Sequence, residues 1–312
     1  MPQSLKPLPL QAGDSVRILS VASPVEEARL RAGCEEIGRL GFRPLSDDQR
    51  VLARGDFFAG SAAERGTALK EALSETNTRG IISSRGGYGS NYLLEGLSVA
   101  LVTPKILLGY SDLTSLQIFL WQKFRWVTLY GPMVAAGLDK GAGAEHGYDR
   151  ASLMRAVTEI KSGWSIALDD AEPIVPGNDD GTLVGGCLTL VETALGTPWE
   201  LDTHGTILVL EDRGMKPWQV DRALMHLKQA GKFRGVSGIV LGDFPECEGP
   251  AGSETVCDVV RRVLGILGFP VVWGAAIGHT ARPMLTLPLG VRARLRSDDA
   301  PRLEILEPAC KL

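Results

Sequence analysis

The chain has 312 residues, 44% of them hydrophobic and 22% charged, which is long enough for two domains of ordinary size around a large buried core. Its net charge of -4 supplies no basic surface of the kind nucleic-acid binding requires, so no nucleic-acid partner is expected. Five cysteines (Cys34, Cys187, Cys247, Cys257 and Cys310) form no C-x-x-C pair, and four scattered histidines form no H-E-x-x-H, which argues against a disulfide framework, a structural zinc site or metal-dependent chemistry.

In chain order, the opening MPQSLKPLPLQAGDSV is punctuated by proline and has no uninterrupted apolar region. Neither a secretory signal nor a membrane anchor is expected there, and a cytoplasmic location follows as the default. Residues 15–22 read as a buried strand. Ser23, Pro24, Val25 and Glu26 then supply a capping box with proline at the first helical position, predicting a helix through Leu40. Further strands are expected at 80–84, 105–110 and 126–129, separated by helical patterns at 62–74, 92–97 and 113–124. This alternation predicts a parallel sheet covered by helices.

A helix is expected at 150–161. Residues 168–181, rich in Asp, Pro and Gly, read as a loop, which places a linker at 166–181 between an N-terminal domain (1–165) and a C-terminal one (182–312). The second half predicts a helix at 187–195, strand 206–210, helix 217–230, strand 238–241, helix 254–267 and strand 270–273. Two runs at 291–295 and 302–306, joined by a Ser-Asp-Asp-Ala-Pro turn, predict a closing hairpin.

The segment KILLGYSDLTSLQ, 105–117, carries the strongest chemical signal. An apolar run ends at Gly109, and Leu113, Leu116 and Leu120 recur at helical spacing after it. Ser111 therefore sits at a strand-to-helix turn, where its hydroxyl would be lifted clear of the sheet and the N–H of Asp112 aimed at a developing oxyanion. The turn is not a G-x-S-x-G, because Leu113 stands where the second glycine would be. Ser111 or Asp112 could equally serve as the N-cap of the helix.

A serine nucleophile needs a base, and the base needs an orienting group. Glu211 directly follows the apolar run 207–210, at a strand's carboxyl end, and His279 follows VVWGAAIG on a glycine-softened turn. Glu211 could instead pair with Arg213, and His279 could be a backbone-bonded turn residue. His146, His204 and His226 are less suited, lying in a Gly-rich loop, a polar turn and a helical pattern. The loop RGGYGS, 85–90, could complete an oxyanion hole through the N–H of Gly86 or Gly87, or cradle a phosphate, although it matches neither nucleotide-binding glycine signature.

Taken together, RGGYGSNYLL, KILLGYSDLTSLQ, LYGPM, GTLVGGCLTLV with GTP, ILVLEDRG with VDRALMHL, GIVLGDF, and GAAIGHT with TLPLG resemble the L,D-carboxypeptidase family of serine peptidases, in the family's order from near Gly13 to Gly290. The resemblance implies Ser111 as nucleophile in G-[YF]-S-D, Glu211 as orienting group in L-E-D, and His279 as base in G-H-T. It also implies an α/β fold in which a flavodoxin-like or amidotransferase-like parallel sheet precedes a smaller C-terminal α/β domain, together with a homodimer and no cofactor. The implied reaction is release of a C-terminal D-amino acid, D-Ala from cytoplasmic muropeptide tetrapeptides in wall recycling, with Arg85 and Tyr88 as candidates for binding that small peptide. Cys187 stands where the family usually has Asn, Met215 where it has a second acidic residue, and Trp218 where it has Tyr. Two alternatives remain. One is a microcin self-immunity branch that cleaves peptide–nucleotide conjugates, for whose longer substrate loop the region 164–181 is short. The other is a non-catalytic nucleotide- or flavin-binding module.

Overall fold

The computed structural model describes residues 4–97 and 103–311, so the first three residues of the proline-punctuated opening lie outside it. The first sheet is built from β1 (Ser15–Leu19), β2 (Arg43–Leu45), β3 (Gly80–Ser83), β4 (Ile106–Gly109) and β5 (Thr128–Tyr130). These strands pair in parallel in the order β5-β4-β3-β1-β2. The apolar residues of β3 and β4 are buried on both faces, as a parallel sheet covered on each side requires. Alternation then assigns the faces. Ile18, Ile82, Leu108 and Leu129 meet α1 (Glu27–Arg39) and α5 (Arg150–Thr158), whereas Leu19, Ile81 and Leu107 meet α3 (Ala62–Ser74) and α4 (Leu113–Phe124). The short α2 (Asp48–Val51) follows β2. Helix α3 starts where its capping box does, with Ser61 Oγ accepting from Glu64 N–H and the Glu64 carboxylate accepting from Ser61 N–H.

The second sheet contains β6 (Trp164–Ala167), β7 (Glu172–Val175), β8 (Gly177–Cys187), β9 (Thr206–Glu211), β10 (Gly238–Leu241) and β11 (Val271–Trp273). After β12 (Leu287–Leu289), which pairs antiparallel with β5 of the first sheet, the hairpin β13 (Arg292–Ser297) and β14 (Arg302–Ile305) completes it. Strands β8 to β11 run parallel at its centre and antiparallel strands flank them. Leu208, Leu210, Ile239 and Leu241 pack against α7 (Pro217–Gln229) and α8 (Val256–Leu264), with α6 (Leu188–Thr193) beside them. On the opposite face Ile207, Val209 and Val240 enter the same core as the inner face of the first sheet. The two sheets therefore share one hydrophobic core, and β12 stitches the C-terminal part of the chain into the N-terminal sheet.

Three expectations are corrected, and one strand was not anticipated. Residues 166–181 are not a linker: β7 and the first half of β8 lie there. Their composition reads as a loop because the backbone polar groups are satisfied by the ladder with β13 while the side chains remain in water, Asp180 pairing with Arg294 at 3.0 Å. The residues at 92–97 form no α-helix, since a single 3₁₀ turn spans Ser90–Leu93. The capping box at Ser23 does not form. Helix α1 begins later, with Glu26 as an N-cap that makes no side-chain bond, because the Ser23 hydroxyl is engaged elsewhere. Strand β12, only three residues long with Pro288 at its centre, was not expected at all.

Candidate active site

The turn between β4 and α4 is strained at Ser111, whose φ of +61° lies in the left-handed region. A non-glycine residue held there costs about 1–3 kcal/mol, so the surrounding contacts must over-determine it. Asp112, at the N-cap position of α4, makes no side-chain bond to its own helix. Its buried carboxylate instead accepts the N–H groups of Ser90 (2.8 Å) and Gly89 (3.3 Å), while Ser90 Oγ donates to the Asp112 carbonyl (2.6 Å). Burial drives the Asp112 carboxyl group upward from the ordinary carboxylate range against these bonds. The capping alternative for Asp112 is thus replaced by a brace between the serine turn and the loop 85–90.

That loop closes over the serine. A Cβ on Gly86 would stand 2.9 Å from Ser111 Cβ, 3.0 Å from its Oγ and 3.5 Å from Asp112 N, so only glycine lets the backbone approach the hydroxyl this closely. Ser23 fastens the loop from the other side, donating its N–H to the Gly86 carbonyl (3.3 Å) and accepting the Tyr88 N–H on its Oγ (3.1 Å). Among the described residues the N–H groups of Gly86, Gly87 and Asp112 have no protein acceptor. Unpaired N–H groups on the two segments that meet at the hydroxyl are what an oxyanion site requires.

Glu211 is the last residue of β9 and shares the strand face of Ile207 and Val209, which turns it toward the first sheet. It is fully buried and does not pair with Arg213, which binds Glu246 instead (2.6 and 3.0 Å). Oε2 of Glu211 accepts both the backbone N–H and Nδ1 of His279, each at 2.8 Å. Oε1 accepts the Tyr130 hydroxyl at 2.5 Å, and that hydroxyl in turn accepts the Ser111 N–H at 3.3 Å. Since Nδ1 faces a carboxylate, it carries the proton in the neutral ring and leaves the lone pair on Nε2. The His279 ring is set edge-on to Tyr110 with centroids 5.1 Å apart. Gly278 must be glycine, for a Cβ there would lie 2.2 Å from Glu211 Cδ.

The electrostatics follow from this geometry. Burial alone would lower the His279 pKa, yet the Glu211 charge and hydrogen bond outweigh it and raise it above the ordinary histidine value. For Glu211, burial acts upward and is outweighed by His279 and Tyr130, leaving the carboxyl group below its ordinary value. At neutral pH the carboxylate is therefore charged and ready to stabilise an imidazolium.

The structure brings Ser111, Glu211 and His279 into one hydrogen-bonded network through Tyr130, a member the sequence reading passed over. Its signal was present: like Glu211, it is a polar residue at the end of an apolar strand. The other predicted positions lie around this network. Arg85 is exposed, with a single bond from Nη1 to the Pro24 carbonyl (3.1 Å), and Tyr88 is 47% exposed. The departures Cys187 and Met215 are neighbours. The Cys187 thiol, raised well above its ordinary pKa by burial, donates to Asp212 Oδ2 (3.4 Å), which also accepts from Thr189 Oγ1 (2.7 Å), and Thr189 Oγ1 lies 3.6 Å from Met215 Sδ. Trp218 is exposed beneath the Arg222 guanidinium. The remaining histidines are engaged elsewhere: His226 pairs with Glu192, His146 contacts the Thr280 carbonyl, and His204 donates its N–H to Asp202. Among the described residues no three His, Cys, Asp or Glu side chains are grouped to hold a metal, and no helix is long and apolar enough to cross a membrane.

Two outcomes follow if this network performs proton transfer. A base that must be neutral gives kcat/KM an acid limb centred above pH 6.5, the ordinary histidine value. Glu211→Gln removes the charge that raises His279, so that limb should move to lower pH while kcat falls by roughly 10³–10⁴; an unmoved limb would count against the pairing. In Tyr130→Phe, Glu211 loses a donor and holds the His279 proton more tightly, so the limb should move to higher pH with kcat down about tenfold and KM little changed. A purely structural Tyr130 would lower stability and leave the limb where it was.

Residues 16–131 match the model of the LD-carboxypeptidase N-terminal domain and residues 180–295 that of the LD-carboxypeptidase C-terminal domain. The chain is 31% identical to the probable murein peptide carboxypeptidase of Bacillus subtilis, over 94% of this chain and 92% of that protein. It is 28% identical to the microcin C7 self-immunity protein MccF of Escherichia coli over 93% of each. The crystal structure of muramoyltetrapeptide carboxypeptidase from Oxalobacter formigenes is similar with a TM-score of 0.81 at 25% identity, covering 94% of this chain and 99% of that one. The chain belongs to the LD-carboxypeptidase family and is a serine-type carboxypeptidase.

Proposed function

We propose that Ser111 is the nucleophile, His279 the base and Glu211 the orienting carboxylate of an L,D-carboxypeptidase that releases D-Ala from muropeptide tetrapeptides, in the cytoplasm, during wall recycling. The observation that carries this reading is the buried Glu211–His279 pair, linked through Tyr130 to a serine in a left-handed turn. His279 Nε2 takes the Ser111 proton as Oγ attacks the carbonyl carbon, and Glu211 stabilises the resulting imidazolium. The carbonyl oxygen, now negative, is held by Asp112 N–H and by the N–H of Gly86 or Gly87. Collapse breaks the C–N bond as His279 returns the proton to the leaving amine, freeing the D-amino acid. Water, deprotonated by the same histidine, then attacks the acyl-serine and regenerates the hydroxyl.

A carboxypeptidase must hold its substrate's terminal carboxylate, and Arg85, exposed and with one guanidinium nitrogen engaged, supports that role. The preference for a peptide over a peptide–nucleotide conjugate is supported by residues 164–181, which are occupied by β6, β7 and the start of β8 with only four residues between β6 and β7. Little chain remains there for a loop that would enclose a nucleotide.

Purified protein in EDTA should release free D-Ala from a disaccharide tetrapeptide, and Ser111→Ala should reduce that rate by at least about 10⁴-fold; undiminished release by the variant would refute the assignment. Arg85→Ala should cost a free-acid substrate far more activity than its C-terminal amide analogue, and equal losses would remove Arg85 from carboxylate binding.

A further inference from the structure

Four aromatic side chains gather beside the loop that covers Ser111. Phe58 lies 5.7 Å from Tyr88 and 5.5 Å from Tyr92 between ring centroids, Tyr88 and Tyr92 are 6.0 Å apart, and Phe57 stands 6.3 Å from Phe58. Three of them face water, with Phe57 71%, Tyr92 58% and Tyr88 47% exposed. Contiguous aromatic surface of this kind is unfavourable to leave hydrated and marks a binding site more often than not.

The cluster has a built foundation. Arg65 is 3% exposed and its guanidinium lies over the Phe58 ring at 4.9 Å, while Nη1 donates to the carbonyls of Val21 (2.6 Å) and Gly89 (2.8 Å). Among the described residues it forms no ion pair, although burying a cation is costly. Gly89 is pressed against the same ring, where a Cβ would stand 2.7 Å from Phe58 Cδ1. The backbone that carries Gly86 and Gly87 to Ser111 thus runs on into Tyr88 and the aromatic corner.

We propose that Phe57, Tyr88 and Tyr92 form a subsite for a hexosamine ring attached to the substrate peptide. The inference rests on the muropeptide reading above and names what that site holds beyond the peptide. A pyranose offers an apolar face of C–H bonds to an aromatic ring and hydroxyl groups at its rim, and the two tyrosines supply both kinds of contact. None of the four neighbouring ring pairs is parallel, their planes being inclined by 36° to 81°, so they form an open corner rather than a slot for a flat nucleobase. Reach agrees as well. Tyr88 is two residues beyond Gly86, about 7 Å at most along the chain, and the three residues before the scissile bond of a tetrapeptide span about 10 Å when extended.

The test is kcat/KM for D-Ala release from a disaccharide tetrapeptide and from the free tetrapeptide, for wild type and for Phe57→Ala/Tyr92→Ala, with the association state of both proteins measured by sedimentation. The wild type should favour the sugar-bearing substrate by about tenfold. The double variant should lose that preference, with its rate on the free tetrapeptide within about twofold of wild type. Equal wild-type rates on the two substrates, or parallel losses in the variant, would overturn the subsite while leaving the muropeptide reading intact. Dissociation of a wild-type dimer by the two substitutions would instead assign the corner to a second copy of this chain. Cleavage of neither substrate by wild type would overturn the muropeptide reading and the sugar subsite with it.

Discussion

A single buried carboxylate organises this molecule. An unpaired Glu211 at the heart of two packed sheets would cost several kcal/mol, and three donors offset that cost: the His279 N–H, His279 Nδ1 and the Tyr130 hydroxyl. The acid and its two partner residues come from different parts of the architecture, since β9 delivers the acid, the turn after β11 delivers the histidine with two of the donors and β5 delivers the tyrosine with the third. The glycines around it follow. Gly278 and Gly242 would place a Cβ 2.2 Å from Glu211 Cδ and 2.7 Å from its Cβ respectively, so the backbone closes on the carboxylate on two sides. The pairing of β12 with β5 and the core shared by both sheets hold these parts together.

The same constraint reaches the serine. Tyr130 spends its proton on Glu211 and its lone pair on Ser111 N–H, so the left-handed turn is tied to the acid that orients the histidine. Asp112 and Ser90 tie that turn to the glycine loop, and Ser23 ties the loop to the end of β1. Strain at Ser111 is sustained because neighbours on all sides specify it, which is the condition under which functional sites store strain. The histidine is kept basic enough to accept a proton and is aimed by a group that remains charged.

Much of this was legible in the sequence because it rests on local pattern. The strand-turn-helix around Ser111 showed in the switch from a continuous apolar run to helical spacing, and α3 and α4 appear at the residues their periodicity indicates. Glu211 and His279 could be chosen because strand ends in open α/β sheets are where polar groups can be both positioned and exposed to a ligand. What escaped notice depends on partners distant in sequence. The Asp- and Gly-rich residues 168–181 become strands only because β11 and β13 are there to pair with them. The Ser23 motif has the composition of a capping box, but the glycine loop claims its hydroxyl. Tyr130 looked like an ordinary strand residue because neither of its partners lies near it in the chain.

The most direct test of the account is the structure of the protein inactivated by a phosphonate analogue of a muropeptide amide, since such a reagent places a tetrahedral, negatively charged oxygen where the reaction would. The account predicts one covalent adduct on Ser111 Oγ, with the phosphonyl oxygen within hydrogen-bond reach of Asp112 N–H and of Gly86 or Gly87 N–H, and His279 Nε2 facing the leaving-group side. An adduct on another residue, or a phosphonyl oxygen turned away from those three donors, would contradict it.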